Sequence, residues 1–280
     1  MVENRPWLTV LTHLVLICGV LMVAFPVYIS IIAATHGPTA LTSGRMPLLP
    51  GGELWNNVVE VLTRQQRGAA PYWLMTWNSL LMAISITLGK IAISIISAYA
   101  IVYFRFPGRV LAFWMIFITL MLPVEVRIIP TFAVVANLGL LNSYLGLTIP
   151  LIASATATFL FRQFFMTIPD ELMEAARVDG AGPIKFFRDI LLPLSRTNIA
   201  ALCVILFIYG WIQYLWPLLV TTDPNYYTLM MGVKRLAAAQ EADPQWNTIM
   251  AAVVMAMLPP VLIVIFMQRL FVKGLVETEK

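Results

Sequence analysis

The chain has 280 residues, of which 60% are apolar and only 11% charged, with a formal net charge of +4. A soluble domain carries about 25% charged residues, so this composition excludes a soluble globular protein and indicates a membrane protein. The apolar runs do not alternate as porin strands do, and the basic residues are dispersed without aromatic clustering, so neither a barrel nor a nucleic-acid partner is predicted.

Six stretches are long and apolar enough to cross a bilayer as helices, which predicts an all-α integral membrane protein. The predicted spans are Leu8–Ala34, Trp77–Phe104, Val110–Ile129, Gly146–Phe165, Asn198–Thr221 and Thr248–Phe271. The first is too long for a signal peptide and lacks a small-residue cleavage site, so we expect it to be retained. Cys18 and Cys203 lie inside these runs and are predicted to be small buried apolar residues.

The distribution of basic residues predicts the orientation. Eleven lysines and arginines fall on the side of the termini and six on the opposite side, while Lys90 lies within a span. The positive-inside tendency therefore predicts two cytoplasmic termini. The first outward loop, Thr35–Tyr72, is punctuated by glycine and proline, so we expect it to be irregular with at most one short helix, around Leu54–Leu62.

Spans two and three carry charges at membrane depth. Lys90 lies near the middle of span two, where an unpaired ammonium costs about 2.5–3.5 kcal/mol. It either packs against a polar group of a neighbouring helix or faces the path of a solute. Arg127 follows Glu125 by two residues, so the two side chains would point to different sides if the chain there is extended. Arg127 either meets solute or belongs to an ion pair.

The segment that joins spans four and five holds nine of the 32 charged residues. Thr167 is predicted to cap a helix from about Ile168 to Val178. Gly180 can adopt the left-handed conformation that often ends a helix. Pro183 then suits the first turn of a second helix, which we expect to end before Pro193. The segment is therefore predicted to be a helix, a sharp turn and a second helix on the cytoplasmic face.

The two helices of this segment have distinct predicted faces. A stripe on the first would let a partner backbone come close, and consists of Leu172, Ala175, Ala176 and Asp179. The second has a bulky apolar face of Phe186, Phe187, Ile190 and Leu191. The segment is either a docking element for a cytoplasmic partner or a connector that lies on the lipid headgroups.

Span five combines aromatic and polar groups before Pro217. Gln213 is a candidate for lining a solute path because a buried amide needs hydrogen-bond partners, and Trp211 is a second candidate. Trp216 is assigned to the aromatic belt at the membrane surface.

The chain lacks the motifs of an enzyme. Its only Gly-Lys pair, Gly89-Lys90, does not fit a phosphate-cradling loop and lies in a span. There is no H-E-x-x-H motif and no cysteine pair at metal spacing, and the two histidines, His13 and His36, are predicted to be packed or interfacial. We expect no catalytic residue, no metal site and no cofactor in this chain, so energy must come from another subunit.

Several segments resemble one protein family. Glu174-Ala175-Ala176, Gly180, Ile190 and Leu192-Pro193 stand at the spacing of the EAA loop in the membrane subunits of bacterial ABC importers. RFP at 105–107, WIQYLWPL at 211–218 and QRLFVKG at 268–274 resemble the carbohydrate-uptake branch of that family. The opening ENRPWLT and the run FWMIFITLMLPVEVRIIPT are similar to the second permease subunits of sn-glycerol-3-phosphate importers.

The resemblance implies a type I importer fold, with a first helix and outward loop at 1–76, a five-helix domain at 77–280 and a coupling loop at about 167–196. Its coupling positions are Glu174, Ala175, Ala176, Asp179, Gly180, Ile190, Leu192 and Pro193. Glu174 would contact the ATPase by a charge-assisted bond and Gly180 would make the bend. The implied partners are a homologous second permease, an ATP-binding dimer that holds ATP and Mg, an extracytoplasmic solute-binding protein and the lipid of a bacterial inner membrane.

The same resemblance implies sn-glycerol-3-phosphate as substrate, with glycerophosphodiesters as further candidates, and Lys90 and Arg127 would then meet an anionic phosphate ester. A permease for a neutral sugar or oligosaccharide is an alternative within the family. A self-sufficient secondary carrier is an alternative of another class, which would transport without partners and have no use for an ATPase-docking loop.

Overall fold

The computed structural model describes residues 6–42, 46–63, 70–122, 124–238 and 245–277, and within these ranges the regular structure is helical, without strands. The chain divides into two compact units. Unit 1 comprises Met1–Arg67 and Gly232–Leu258, and unit 2 comprises Gly68–Met231 and Pro259–Lys280. The functional division predicted at residue 76 remains a prediction.

The α-helices in chain order are α1 Pro6–Ala34, α2 Pro38–Thr42, α3 Leu54–Thr63, α4 Tyr72–Tyr103, α5 Arg109–Met121, α6 Val124–Asn137, α7 Tyr144–Thr148, α8 Ala155–Phe165, α9 Asp170–Val178, α10 Pro183–Phe186, α11 Leu192–Leu194, α12 Arg196–Trp211, α13 Leu215–Val220, α14 Leu229–Ala238 and α15 Trp246–Glu277. Short 3₁₀ turns follow α7 and precede α14 at Ile149–Leu151 and Pro224–Tyr226, and a π-helical turn, Phe187–Leu191, joins α10 to α11.

In unit 1, α1 is the helix predicted for the first span, and α3 is the short helix predicted in the outward loop. The expectation of at most one helix in that loop is wrong, because α2 is a second one. Hydrogen bonds hold α3 to the end of α1: the buried Asn57 side chain donates to the carbonyl oxygens of Ala34 at 2.8 Å and His36 at 2.9 Å. The Asn57 side-chain oxygen accepts from Asn247 at 2.7 Å. Cys18 was predicted to be buried and is exposed on α1, because α1 contributes few contacts before its last turns.

Three described helices are long and apolar enough to cross a membrane: Trp7–Ala34, Tyr72–Tyr103 and Trp246–Gln268. The number rises to five if two bent pairs each count as one span. The first pair, Tyr144–Leu151 with Ala155–Phe165, bends by 44°, and the second, Pro183–Leu194 with Arg196–Trp211, bends by 70°.

Three predicted spans are interrupted. The third consists of α5 and part of α6, and α6 continues to Asn137, where Gly139 at φ +69° allows the chain to turn. The fourth breaks before Ser154, whose side chain caps α8 by accepting from the backbone N–H of Ala157. The fifth breaks at 212–214, between α12 and α13. Glu125 and Arg127 both lie in α6, so the chain there is helical and the condition for oppositely directed side chains is not met.

Unit 2 is built around α4, which packs against α8 and α12. Glycine permits the closest approach: a Cβ atom at Gly210 would lie 2.8 Å from Cα of Ala83. The fully buried Asn78 side chain also ties α4 to a distant loop by donating to the carbonyl oxygens of Asn225 at 2.8 Å and Tyr227 at 3.0 Å. It accepts from the Tyr144 hydroxyl at 2.8 Å. These contacts fix the helices that carry the two candidate sites.

Candidate functional site

The first candidate site is the helix–turn–helix segment formed by α9, α10 and α11. Gly180 has φ +73°, and the N–H of Ala181 donates to the carbonyl oxygen of Ala176 at 2.8 Å, which confirms the predicted sharp turn. The predicted cap is wrong. Thr167 donates its hydroxyl to the carbonyl oxygen of Phe164 instead, and the helix begins at Asp170.

The second helix does not end before Pro193 as predicted but continues to Leu194. Within an α-helix, a proline collides with the carbonyl of the residue four positions earlier. The π-helical turn Phe187–Leu191 changes the register immediately before the proline, so that the N–H of Leu192 donates to Phe187, five residues earlier. The wider turn accommodates Pro193 without ending the helix.

The bulky face of this segment packs within its own chain. Phe186 and Leu191 are buried in a cluster that also contains Ala176 and Phe165. The Phe186 ring lies 5.3 Å from the ring of Tyr103, and the Tyr99 hydroxyl donates to the carbonyl oxygen of Pro183 at 2.8 Å. Ala176 was predicted to let a partner approach closely, but its side chain is buried in this cluster with residues of α4 and α8. Its small size therefore permits close packing inside the chain.

The opposite face of the segment is exposed. Val178 and Ile184, which flank the turn at Gly180, are 88% and 82% exposed. Neither belongs to the predicted coupling set, whose exposed members are Glu174, Ala175, Asp179, Gly180 and Pro193, while Ile190 and Leu192 are half-buried. Two apolar side chains that stand this far into solvent, beside charged residues, fit a protein-docking surface.

An open groove of about 870 Å³ lies between this segment and the Tyr103 end of α4. Its charged lining residues are Arg105, Arg109, Asp170, Glu174 and Arg177. An ion pair between Arg188 and Asp189, at 3.7 Å, lies outside this groove. The charges of the groove are thus available to a partner of mixed charge.

The second candidate site is a cavity beside Lys90, inside the membrane-spanning part of unit 2. Lys90 is only 7% exposed, and its Nζ lies 3.7 Å from the centroid of the Tyr209 ring. A cavity of about 330 Å³ is lined by Lys90, Arg127, Thr131, Tyr209, Gln213 and Trp216, among others. Lys90, Arg127 and Tyr209 also line an adjoining space of about 780 Å³.

Both predicted cations therefore face the same space. Neither cavity has an acidic side chain among its described lining residues, whereas the side chain of Glu125 lies outside the described residues. Lys90 also satisfies the packing interpretation, because it contacts an aromatic ring on a neighbouring helix. That ring leaves the positive charge uncompensated, so the two interpretations are compatible.

Of the residues around the break in span five, Gln213 and Trp216 line the cavity and Trp211 does not. Gln213 lines the cavity and donates its amide to the carbonyl oxygen of Tyr209 at 3.1 Å. Trp216 also lines it but is buried, with its indole N–H donating to Gly146 at 3.2 Å, so its assignment to the aromatic belt is wrong. Trp211 is 2% exposed and stacks on Phe207, and this burial favours a packing role.

Tyr209 was missed by the sequence analysis. Its signal is weak: a tyrosine in an apolar span is usually a packing or interfacial residue. Its spacing of four residues from Gln213 places both on one helix face, which could have indicated a shared polar surface. The described residues contain no group of three or more histidine, cysteine or acidic side chains that could hold a metal ion.

Comparisons with known proteins identify the family of this chain. Residues 90–277 match the family described as "Binding-protein-dependent transport system inner membrane component". The chain is 59% identical to the sn-glycerol-3-phosphate transport system permease protein UgpE of Salmonella typhi, over the whole of both chains. It is 57% identical to the protein of that name from Escherichia coli K12, again over both full lengths.

A solved structure has the same fold. It is the crystal structure of a bacterial ABC transporter involved in the import of the acidic polysaccharide alginate, with a TM-score of 0.83 at 21% identity, covering 96% of this chain and 98% of that one. Together with the family match over residues 90–277, the full-length relatives show that this chain belongs to the inner-membrane permease family of binding-protein-dependent ABC importers.

Proposed function

We propose that this chain is the permease subunit that forms half of the translocation pathway of an ATP-driven importer for sn-glycerol-3-phosphate, with glycerophosphodiesters as further substrates. The observation that carries the proposal is the identity of 57–59% over the full length to permeases named for that solute. The cavity supports it independently, because two cations without a described acidic neighbour suit a phosphate ester.

Lys90, Arg127 and Gln213 handle the substrate in this proposal. Lys90 supplies a point charge, Arg127 a planar set of donors and Gln213 a neutral donor at the break of the helix. A solute that must also leave the site is best met by a few contacts, since tight binding would prevent release. Trp211 supports these residues from the core of unit 2 and does not touch the solute.

The helix–turn–helix segment at residues 167–196, the coupling segment, passes the movement of the ATPase subunits to the membrane helices. ATP and Mg belong to the ATP-binding subunits, and this chain supplies no catalytic group. When those subunits close, the segment moves with them and tilts α4, α8 and α12, provided that it binds the closed and open ATPase dimers differently. Glu174, Ala175, Val178 and Ile184 form the docking face, while Ala176, Phe186 and Leu191 join the segment to its own helices.

We further propose six spans, formed by α1, α4, α5 with the start of α6, α7 with α8, α12 with α13, and α15. Both termini and the coupling segment are then cytoplasmic, consistent with the excess of basic residues on that side. Residues 1–76 provide the first span and an outward loop, and residues 77–280 provide the five-helix core. The remaining partners are a homologous permease and an extracytoplasmic solute-binding protein, which docks on the outward loops.

The test is transport by the reconstituted complex. The chain is placed in proteoliposomes with its sister permease, ATP-binding subunits and solute-binding protein, and uptake of radiolabelled sn-glycerol-3-phosphate is measured with and without ATP. We expect ATP-dependent uptake from the complete complex and none from this chain alone. Uptake of a neutral sugar in its place would overturn the substrate, and ATP-independent uptake by the single chain would overturn the importer class.

Crosslinking tests the coupling segment separately. A photocrosslinker at Val178 or Ile184 should capture the ATP-binding subunit in cells, whereas the buried position Ala176 should not. Glu174→Lys and Gly180→Pro should lower ATP-dependent uptake while the isolated ATPase activity of the partner persists. Full uptake by both variants would exclude the segment as the coupling element.

A further inference from the structure

The end of α1 marks a membrane surface. An apolar stretch runs from Leu14 to Ala34, after His13 and before Thr35 and His36. At about 1.5 Å per residue its length is about 31 Å, which matches a hydrocarbon core of about 30 Å. Because Thr35 and His36 end the apolar stretch, we place the outer end of the first span at Ala34 and the membrane surface near this level.

α3 is bonded there. Its Asn57 side chain donates to the carbonyl oxygens of Ala34 and His36 at 2.8 and 2.9 Å. The turn before it is held by Thr35, whose carbonyl oxygen accepts from Glu53 N–H at 2.9 Å and whose hydroxyl accepts from Gly51 N–H at 2.8 Å. Four hydrogen bonds therefore hold the start of α3 at the level where the first span ends.

The sequence of α3 divides its circumference into three arcs. At 3.6 residues per turn, an arc of about 140° contains only Leu54, Val58, Leu62, Trp55 and Val59. The polar arc contains Thr63, Asn56 and Glu60. The third arc contains Asn57 and Val61, which are buried against the rest of unit 1. The third arc thus packs on protein and Glu60 of the polar arc accepts from the Thr248 hydroxyl at 3.4 Å, whereas most of the apolar arc is exposed.

The apolar arc is exposed. Trp55 is 73% exposed, and Leu54, Val59 and Leu62 are exposed with it. In the preceding loop, Leu48 and Leu49 are also exposed, and the Tyr28 hydroxyl of α1 donates to the carbonyl oxygen of Leu48. Exposed apolar side chains are therefore present on the first span, on this loop and on α3.

We propose that α3 is an interfacial helix whose apolar arc inserts into phospholipid at the boundary between headgroups and acyl chains. The depth set by Ala34, the tryptophan on the apolar arc and the separate polar arc are the features of a helix that lies in the plane of the membrane surface. α3 then anchors the outward loop and holds it parallel to the bilayer, independently of the solute that is transported.

Site-directed spin labelling of the assembled complex in phospholipid nanodiscs tests the proposal. Cys18→Ser and Cys203→Ser remove the native thiols, and single cysteines replace Trp55, Val59 or Leu62, with controls at Asn56 and Thr63 on the polar arc. Collision with oxygen reports lipid, and collision with a nickel chelate reports water. We expect a preference for oxygen at 55, 59 and 62 and a preference for nickel at 56 and 63.

Two results would overturn the proposal. Access of the nickel chelate to positions 55, 59 and 62 would mean that this surface faces water or the receptor. Access of neither reagent would mean that the sister permease covers it. The unsubstituted complex provides a second measurement. A diazirine-bearing phospholipid should label the peptide that contains Trp55, and an unlabelled peptide would contradict the insertion.

Discussion

The ammonium nitrogen of Lys90 lies 3.7 Å from the centre of the Tyr209 ring. An aromatic face attracts a cation through its quadrupole but contributes no opposite charge, in contrast to a carboxylate. The ring thus stabilises the buried ammonium of Lys90 and leaves its charge uncompensated toward the cavity. The approach of α4 to α12 at Ala83 and Gly210 holds the two helices that carry this pair together.

Replacing the ring should change uptake while replacing the hydroxyl should not. Cation–π contacts contribute about 0.5–2 kcal/mol. We expect Tyr209→Leu to raise the substrate concentration for half-maximal uptake about 2- to 30-fold, since the released Lys90 side chain would lose its orientation. Tyr209→Phe should behave like the wild type because the ring is kept. Equal kinetics for the leucine and phenylalanine variants would refute a role of the ring.

Removing the cations tests the cavity itself. Lys90→Met and Arg127→Met should each raise the half-maximal substrate concentration by about tenfold or more, because a charge-assisted hydrogen bond contributes about 1.5–3 kcal/mol. Co-purification of the partner subunits should be unchanged, which provides the control for assembly. Wild-type uptake kinetics in both variants would remove these residues from the pathway.

The contact between α4 and α12 predicts a stability effect. A methyl group at Gly210 would lie 2.8 Å from Cα of Ala83, a backbone atom that cannot move alone. Gly210→Ala should therefore lower the free energy of unfolding by about 1–3 kcal/mol, measurable as a lower melting temperature of the purified complex. Gly19→Ala on α1 is the matched control, since a methyl group there meets nothing within 4 Å. A drop of equal size in both variants would argue against the steric explanation.

The turn in the coupling segment depends on backbone conformation rather than space. Gly180 has φ +73° with nothing within 4 Å of an added Cβ, so Gly180→Ala should cost about 1 kcal/mol through strain alone. ATP-dependent uptake should fall, and Gly180→Asn should restore part of it because asparagine tolerates this conformation. Gly182→Ala is the control, because φ at Gly182 is −72°. Equal loss in both alanine variants would contradict the proposed role of the turn.

The buried amide of Asn78 predicts a second stability effect. Asn78→Ala removes three hydrogen bonds and leaves the carbonyl oxygens of Asn225 and Tyr227 without this donor. We expect a loss of about 2–4 kcal/mol, since each buried unpaired group costs about 1–3 kcal/mol. Tyr144→Phe removes one of the three bonds and should have a smaller effect. Asn56→Ala, on an exposed residue, should leave the melting temperature unchanged.

Features that depend on neighbouring residues could be predicted from the sequence. The first span, α3 and the turn at Gly180 follow from apolar length, periodicity and glycine conformation, and the structure contains all three. The position of Lys90 and Arg127 beside one cavity could not be predicted in this way. Each was predicted because a charge at membrane depth is costly, but their shared cavity depends on how α4 packs against its neighbours.

The direction of side chains and the breaks of helices could not be predicted. An alanine stripe is compatible with a partner on either side of α9, so the assignment of Ala176 to the outside failed once α4 and α8 occupied that face. The breaks at Ser154 and at 212–214 follow apolar residues and have no strong glycine signal. The importance of Tyr209 depends on Lys90, which lies on another helix, and its four-residue spacing from Gln213 is only a weak local signal.

In the proposed coupling, the interruption at 212–214 limits how far a movement of α12 is passed on to α13. α12 is joined through α11 and the π-helical turn to α10, so a push on the coupling segment acts on one end of a lever. Beyond the interruption, the side-chain oxygen of Asn142 accepts hydrogen bonds from the N–H groups of Thr222 at 2.7 Å and Asp223 at 2.9 Å, which holds the residues that follow α13. In the proposed mechanism, a displacement of α12 would therefore act at Gln213, beside Lys90 and Arg127, whereas the residues beyond the interruption are held by Asn142.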